Sequence, residues 1–414
     1  MNKLDNQPYR GTRDFKPADM RRQNHIFNTW FTICESFGYE EYMTPLLEPI
    51  ELYTSKTSEE IVNEQSYSFT DRGDRKLTIR PEMTPSVARL VSQDRLENGY
   101  PLRLFSMANF MRYERPQKGR LREFWQLNAD LFGDADDYGD QEIIVLADTL
   151  MQAFGATDDM YQIRISHRAI LKELATITGA NDSAALTRLV DSHNKMKQAE
   201  FDAKLAELEA DKSIVNQFLQ ATTVDELPQQ VKDLESMQHL LNIIDRLGLD
   251  TVTFDQTVAR GFDYYTGMVF EVFDKNPDNN RSLFGGGRYD ALLENFGAEP
   301  LPTVGFGMGD ATLAEFLDGH DLWPQLSPAT EIWVVVEDNL AVAEGVVMEL
   351  RAAGINVAID YSGRKVGKQI KTATTHGIPY VLFPADGDTH GLKQLESGEQ
   401  SDLTIEDIVA ELND

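Results

Sequence analysis

The stretch FMRYERPQKGRLREFWQLNADLFG, Phe110 to Gly133, decides how the chain is read. Two strand-like runs, ending in FMRYE and opening with REFWQ, flank the polar RPQKGRL, which predicts two strands around a charged turn. Between Phe110 and Gln126 five cations, Arg112, Arg115, Lys118, Arg120 and Arg122, outnumber two acids, Glu114 and Glu123. The whole chain has the opposite balance, 39 Lys and Arg against 68 Asp and Glu, for a formal net charge of −29. A local reversal of sign is either a solvated turn or a site for something polyanionic. In the second run Gln126, Asn128 and Asp130 recur with period two, so they share one face of the strand. Burying such groups is costly without a purpose, which makes that face a candidate binding surface.

Working outward, two more segments carry charge inside strand-like sequence. TIRPEMT (Thr78 to Thr84) places Arg80 and Glu82 on one side of a strand, followed by Thr84. ARGFDYYTG sets Arg260 and Asp263 beside the phenols of Tyr264 and Tyr265. Three strands offering acids, amides or arginines suggest an antiparallel sheet with a polar, binding face. The glycines at 285–287 and at 305, 307 and 309 would let backbone or ligand approach closely.

The remaining elements frame this sheet. Pro17 to about Gly38 has helical spacing between a proline start and a glycine stop. QSYSFTDRGDRKLTIRPE predicts a hairpin around DRGDR. From about 170 to 250 the texture turns to Ala, Leu, Glu and Lys, which predicts a helical insertion. A helix is expected from Asp310, and GHDLWPQLSPATE is expected to connect two domains. Beyond it EIWVVV, INVAIDY and IPYVLFP alternate with two amphipathic helices, predicting a small α/β domain with a largely parallel sheet. The fold class expected is therefore α/β: an α+β domain over 1–325 with an antiparallel sheet flanked by helices, then a small α/β domain over 326–414.

Bulk properties narrow the class. At 414 residues, 41% hydrophobic and 26% charged, the chain reads as a soluble globular protein with two or three cores. The single cysteine, Cys34, excludes a disulfide framework and a cysteine-rich zinc site. Met1 to Arg22 has no apolar h-region and no apolar run is long enough to span a bilayer, so a cytoplasmic protein with no membrane partner is expected. The sequence pI near 4.6 disfavours nonspecific nucleic-acid binding without excluding a local basic surface. GxxxxGK[ST], HExxH, CxxC and GxSxG are absent. DADDYGDQE (Asp134 to Glu142) lacks the closing glutamate of a calcium loop and reads as an acidic turn, leaving no dedicated metal site.

These segments together carry a resemblance. FMRYERPQKGRLREFWQLNADLFG closely resembles motif 2 of the class II histidyl-tRNA synthetases, ARGFDYYTGMVFE resembles that family's histidine-recognition motif, and FGGGRYD its second signature. GTRDFKP, PLLEP in the motif 1 position, TIRPEMT and PTVGFGMGDATL in the motif 3 position match in the expected order. The resemblance implies a histidine–tRNA ligase that joins L-histidine to ATP as histidyl-adenylate, then transfers histidine to the 3′ end of tRNA(His). It implies Arg112 and Arg260 as catalytic arginines at the α-phosphate. It implies Glu82, Met83, Thr84, Arg112, Gln126, Asp130, Arg260, Tyr264 and Tyr265 around histidine, and Arg112, Glu114, Arg120 and Phe124 around ATP. Mg2+ is implied as the carrier of the phosphates, and a homodimer through motif 1. The C-terminal domain resembles the family's anticodon-binding domain, with SGEQ near its end and Arg364, Lys365 and Lys368 of RKVGKQIK, together with Lys118 of the loop, as phosphate contacts for tRNA.

One motif departs from the pattern. The family's motif 3 ends in glycine, a variable residue, glutamate and an arginine that grips the γ-phosphate. Here Gly309 is followed by Asp310, Ala311 and Thr312. Losing one charged hydrogen bond costs roughly 1.5–3 kcal/mol, and Lys118, Arg120 and Arg288 are the candidate replacements. The departure leaves two alternatives: a synthetase weakened at Thr312, and a noncatalytic histidine-sensing paralogue like the regulatory subunit of ATP phosphoribosyltransferase.

Overall fold

The computed structural model describes residues 5–54, 65–93, 99–134, 137–193, 196–258, 264–279 and 281–413. They form two compact units, one up to Asp14 and from Gln23 to Trp323, the other Phe15–Arg22 and from Pro324 onward.

The first unit takes the part of α1 (Pro17–Ser36) from Gln23 onward, then β1 (Glu40–Glu41), β2 (Leu47–Pro49), α2 (Glu51–Thr54), β3 (Tyr67–Thr70), β4 (Lys76–Ile79), α3 (Thr84–Gln93), β5 (Leu102–Met111), β6 (Glu123–Phe132), α4 (Asp137–Ala153) and β7 (Tyr161–His167). The helical insertion follows as α5 (Arg168–Thr178), α6 (Ser183–Asp191), α7 (Gln198–Glu207), α8 (Lys212–Gln220), α9 (Gln229–Lys232) and α10 (Glu235–Leu247). Then come β8 (Val252–Phe254), β9 (Met268–Asp274), β10 (Ser282–Arg288), β11 (Thr303–Gly309) and α11 (Asp310–Gly319).

Eight strands make one sheet in the order β1-β5-β6-β11-β10-β9-β7-β8, antiparallel except where β1 meets β5 and β8 meets β7. Alternation along β6 explains its two faces. Leu127, Ala129 and Leu131 enter a core that includes Trp30 and Cys34 of α1, Leu150 of α4 and Phe316 of α11. The other face carries a second apolar cluster with Val87 and Val91 of α3, Phe110, Tyr264, Tyr265 and Tyr289. A small sheet, β2-β4-β3, lies apart from the large one.

The second unit builds β12 (Ile332–Val334), α12 (Leu340–Ala352), β13 (Val357–Ile359), α13 (Val366–Thr375), β14 (Tyr380–Phe383), β15 (His390–Gln394), β16 (Gln400–Leu403) and α14 (Ile405–Asn413). Its order is β13-β12-β14-β15-β16. The β–α–β–α–β pattern gives the parallel pairs β12–β13 and β12–β14, but β15 and β16 add antiparallel pairs. The sheet is thus mixed rather than largely parallel, because the polar, half-exposed sequence of this last hairpin lacks the apolar signal of a central strand.

Two further expectations are corrected. The acidic turn is in part helix: from Asp137 onward it opens α4. Arg80 and Glu82 do not share a strand face, because β4 ends at Ile79.

Beside the polar positions of β6 runs β11, which has glycine at each position paired with them. Gly305, Gly307 and Gly309 pair with Asp130, Asn128 and Gln126. A Cβ on Gly305 would lie 2.2 Å from Asp130 Oδ1 and 2.6 Å from the Ala129 carbonyl oxygen. We predict that Gly305→Ala destabilises the protein by about 1–3 kcal/mol through overpacking. Gly345→Ala, in helix α12 with open space around it, should be neutral or stabilising by about 0.5–1 kcal/mol. Urea denaturation of both variants checks this, and a Gly305→Ala midpoint equal to the parent's would refute the close approach.

Candidate active site

The polar groups of β6 form the floor of a cleft walled by Glu82, Thr84, Arg112, Tyr264, Tyr265 and Tyr289, with Gly305 and Gly307 beneath. The pleat points Gln126, Asn128 and Asp130 up from the sheet, and the glycines leave the space they enter. Asp130 is 3% exposed, and desolvation raises its carboxyl pKa to about 7. The Tyr289 hydroxyl donates to Asp130 Oδ1 and opposes that rise. Tyr42 lies close to the same carboxyl and also favours its charged form, although its hydroxyl makes no hydrogen bond among the described residues. Asp130 Oδ2 and Asn128 Nδ2 are likewise buried without a hydrogen-bond partner among those residues. Unpaired buried groups facing a cleft are costly to the empty protein and available to a ligand.

On the wall, the Tyr264 hydroxyl donates to Glu82 Oε2 at 3.3 Å. Tyr264, Tyr265 and Tyr289 pack edge to face or tilted, with centroids 4.9–6.5 Å apart. Thr84 is the first residue of α3 and lines the cleft. Met83 is turned into the core, where its sulfur accepts from the Thr44 hydroxyl. Arg80 serves the scaffold: it donates to the carbonyl oxygens of Thr44 and Asn109 and lies over Phe110.

The basic hairpin divides its cations by role. Arg112 reaches the cleft, its Nε fixed by the Pro81 carbonyl at 2.9 Å and its guanidinium 5.4 Å from the Phe124 ring centroid. Phe124 stacks on Phe110. Arg122 is structural, held between Tyr113 and Tyr9 and donating to the Glu114 carbonyl. Arg120 pairs loosely with Glu114 at 3.7 Å. Arg115 and Lys118 are exposed. Arg260 and Asp263 lie outside the described residues.

At motif 3, Asp310 is fully buried, accepting from Arg13 at 2.6 Å and from the Trp125 amide at 2.9 Å. Arg288 is committed to Asp140 and Asp290, which removes it as a replacement for a cation at Thr312. In the second unit Arg364 pairs with Asp360 at 2.6 Å, whereas Lys365 and Lys368 are exposed.

Tyr289 was not singled out by sequence reasoning. Its signal was present in FGGGRYD, where a phenol follows a strand too bare to cover it. Asp310 and Arg13 were missed because 297 positions separate them.

The large sheet thus has one face in the core and carries, on the other, a polar cleft flanked by a basic hairpin. The histidyl-tRNA synthetase family model matches residues 11–311, and an anticodon-binding domain model matches 331–414. A histidine–tRNA ligase of Leptospira biflexa is 39% identical, with 100% of this chain and 98% of the relative covered. The Haloarcula marismortui ligase is 36% identical over 96% and 95%. Among solved structures, the histidyl-tRNA synthetase of Nostoc sp. PCC 7120 shares the fold, with TM-score 0.82, 22% identity and 99% of both chains covered. The chain belongs to the histidyl-tRNA synthetase family.

The raised pKa of Asp130 fixes a sign. In the unfolded chain this carboxyl titrates near its ordinary value, about 3.9, whereas in the folded protein it titrates at about 7. The folded state therefore binds more protons between these values, and that contribution to stability is lost as pH rises toward 7. Asp130→Asn should be more stable than the parent at pH 8, by an amount on the order of 1–4 kcal/mol, and lose the advantage near pH 4. Thermal melts across that range check this; equal stability at pH 8 would mean the carboxylate is well compensated.

Proposed function

We propose that the chain is a histidine–tRNA ligase using the β6 cleft to form histidyl-adenylate. The observation that carries the site assignment is the pair of unpartnered buried atoms, Asp130 Oδ2 and Asn128 Nδ2. A neutral imidazole has one N–H donor and one nitrogen acceptor, and these two atoms offer the complementary acceptor and donor. A competitor of similar size without that pattern would leave buried groups unpaired, which is how a polar site gains selectivity. Glu82, Thr84 and Gln126 then serve the amino-acid end, with Tyr264 and Tyr265 walling the ring.

The first step is attack by the histidine carboxylate on the α-phosphorus of ATP, forming the acyl–phosphate bond and releasing pyrophosphate. Both partners are anionic, so positioning and charge neutralisation dominate the barrier. Arg112 suits this role: its Nε is anchored on Pro81, and the end of its planar fork remains for carboxylate and phosphate. Arg260 is proposed as the second arginine at the same phosphorus. Glu114, Arg120 and Phe124 are assigned to ATP, which brings Mg2+ on its phosphates. The histidyl group next moves to the 3′ end of tRNA(His), and the exposed Lys118, Lys365 and Lys368 are proposed as contacts for its backbone. Residues 1–325 carry the chemistry in this reading and 326–414 bind the anticodon.

A cytoplasmic homodimer is part of the proposal. Leu47 and Pro49 of β2 share a face with Leu77 and Phe69 of the paired strands, while buried Glu48 and Thr78 face the other way. Leu46, Leu47 and Phe69 are 43–45% exposed. A sheet with its apolar face outward fits cover by a second copy.

Histidine-dependent exchange of pyrophosphate into ATP tests the function. The parent should exchange, and Arg112→Ala should reduce kcat/KM by about 100-fold or more. Histidine binding by the parent with no exchange would favour the sensing paralogue instead.

A further inference from the structure

The tip of the basic hairpin is tied down by two groups that lie outside every motif named above. Arg281, just before β10, donates from Nη1 to the Lys118 carbonyl at 2.8 Å and from Nη2 to Gln117 Oε1 at 3.4 Å. Glu315, on the second turn of α11, faces the tip from the other side. A Cβ on Gly119, whose φ is +69°, would lie 3.1 Å from Glu315 Oε2 and 3.4 Å from Thr312 Cγ2. Burial raises the Glu315 pKa, opposed by the Lys118 charge, the Gly119 amide and the Arg281 charge. The hydroxyl of Thr312 is turned away, donating to the Leu283 carbonyl at 2.8 Å. The hairpin tip therefore occupies the ground over Thr312 that a longer side chain there would need.

We infer that Arg281 and Glu315 are positioning residues that clamp Gln117–Gly119 over α11 and so hold the ATP-contacting hairpin in its working place. The inference rests on the proposed use of this hairpin in ATP binding, but the clamp itself is a property of the protein alone. Arg281 suits the task because its planar fork reaches a main-chain and a side-chain oxygen at once. In this geometry the short side chain at 312 is a requirement of the clamp. An arginine at that position would push against Gly119.

Two measurements on the full chain test this. Hydrogen–deuterium exchange of the unliganded protein over 115–121 should rise in Arg281→Ala and in Glu315→Ala, with circular dichroism unchanged; exchange equal to the parent's would overturn the clamp whatever the enzyme does. In pyrophosphate exchange, Arg281→Ala should raise the KM for ATP about tenfold while leaving the KM for histidine unchanged, and Arg281→Lys should recover part of the loss. Thr312→Arg in the parent should also raise the KM for ATP. An improved ATP KM in Thr312→Arg, with Arg281→Ala silent, would overturn the inference. Failure of the parent to exchange would count against the proposed function, and the hydrogen-exchange result would still decide the clamp.

Discussion

The site exists because β11 presents no side chains where β6 presents polar ones. Antiparallel partners share a face, so any residue larger than glycine at 305 or 307 would meet Asp130, Gln126 and Asn128 within contact distance. The bare strand lets a carboxylate and an amide sink almost to the level of the backbone. There Asp130 Oδ2 and Asn128 Nδ2 are buried and make no hydrogen bond among the described residues. The same strand keeps Phe306 and Met308 in the core through its alternate positions. One period-two pattern thus supplies both the packing that stabilises the sheet and the polar cleft above it.

The cost of that arrangement is visible in Asp130. Desolvation pushes its pKa up, and the Tyr289 hydroxyl, which donates to it, opposes that rise without cancelling it. Carboxyls shifted by desolvation in a cleft are characteristic of functional sites. Support comes from distant segments: Asp310, at the head of α11, holds both Arg13 and the Trp125 amide, so the strand bearing the polar groups is fixed at its entry by the end of β11 and by the N-terminal segment. Gly11 adds a second tie, its carbonyl accepting from the amides of Arg122 and Glu123.

Much of this was legible in the sequence for a specific reason. Gln126, Asn128 and Asp130 obey a local rule, and their placement on one face follows from spacing alone. Helix α1 likewise follows from local periodicity, and the helical insertion from local composition. What escaped was nonlocal or irregular. Arg80 and Glu82 have strand spacing, but the chain leaves the ladder after Ile79, so one enters the scaffold and the other the cleft. The β15–β16 hairpin hides in polar sequence because it lies at a sheet edge. The five cations of the loop looked alike in sequence, yet only the fold distinguishes Arg112 in the cleft from Arg122 held between two tyrosines.

That division of cations also gives the acidity of the chain a meaning. A net charge of −29 repels polyanions from most of the surface, and repulsion of this kind falls off over the Debye length, about 8 Å at physiological salt. A triphosphate or a tRNA end approaching at random is therefore disfavoured everywhere except near a local excess of positive charge. The hairpin supplies one, with Arg115, Lys118 and Arg120 exposed at its tip and Arg112 behind them at the cleft. Exposed cations attract without fixing geometry, since a solvated lysine or arginine holds its partner loosely. Arg112, with its Nε already bonded to the Pro81 carbonyl, is held in one orientation, which suits the aligning role proposed for it. On the proposed function, steering and alignment are thereby separated along one hairpin, and the acidic remainder of the surface sharpens the first without weakening the second.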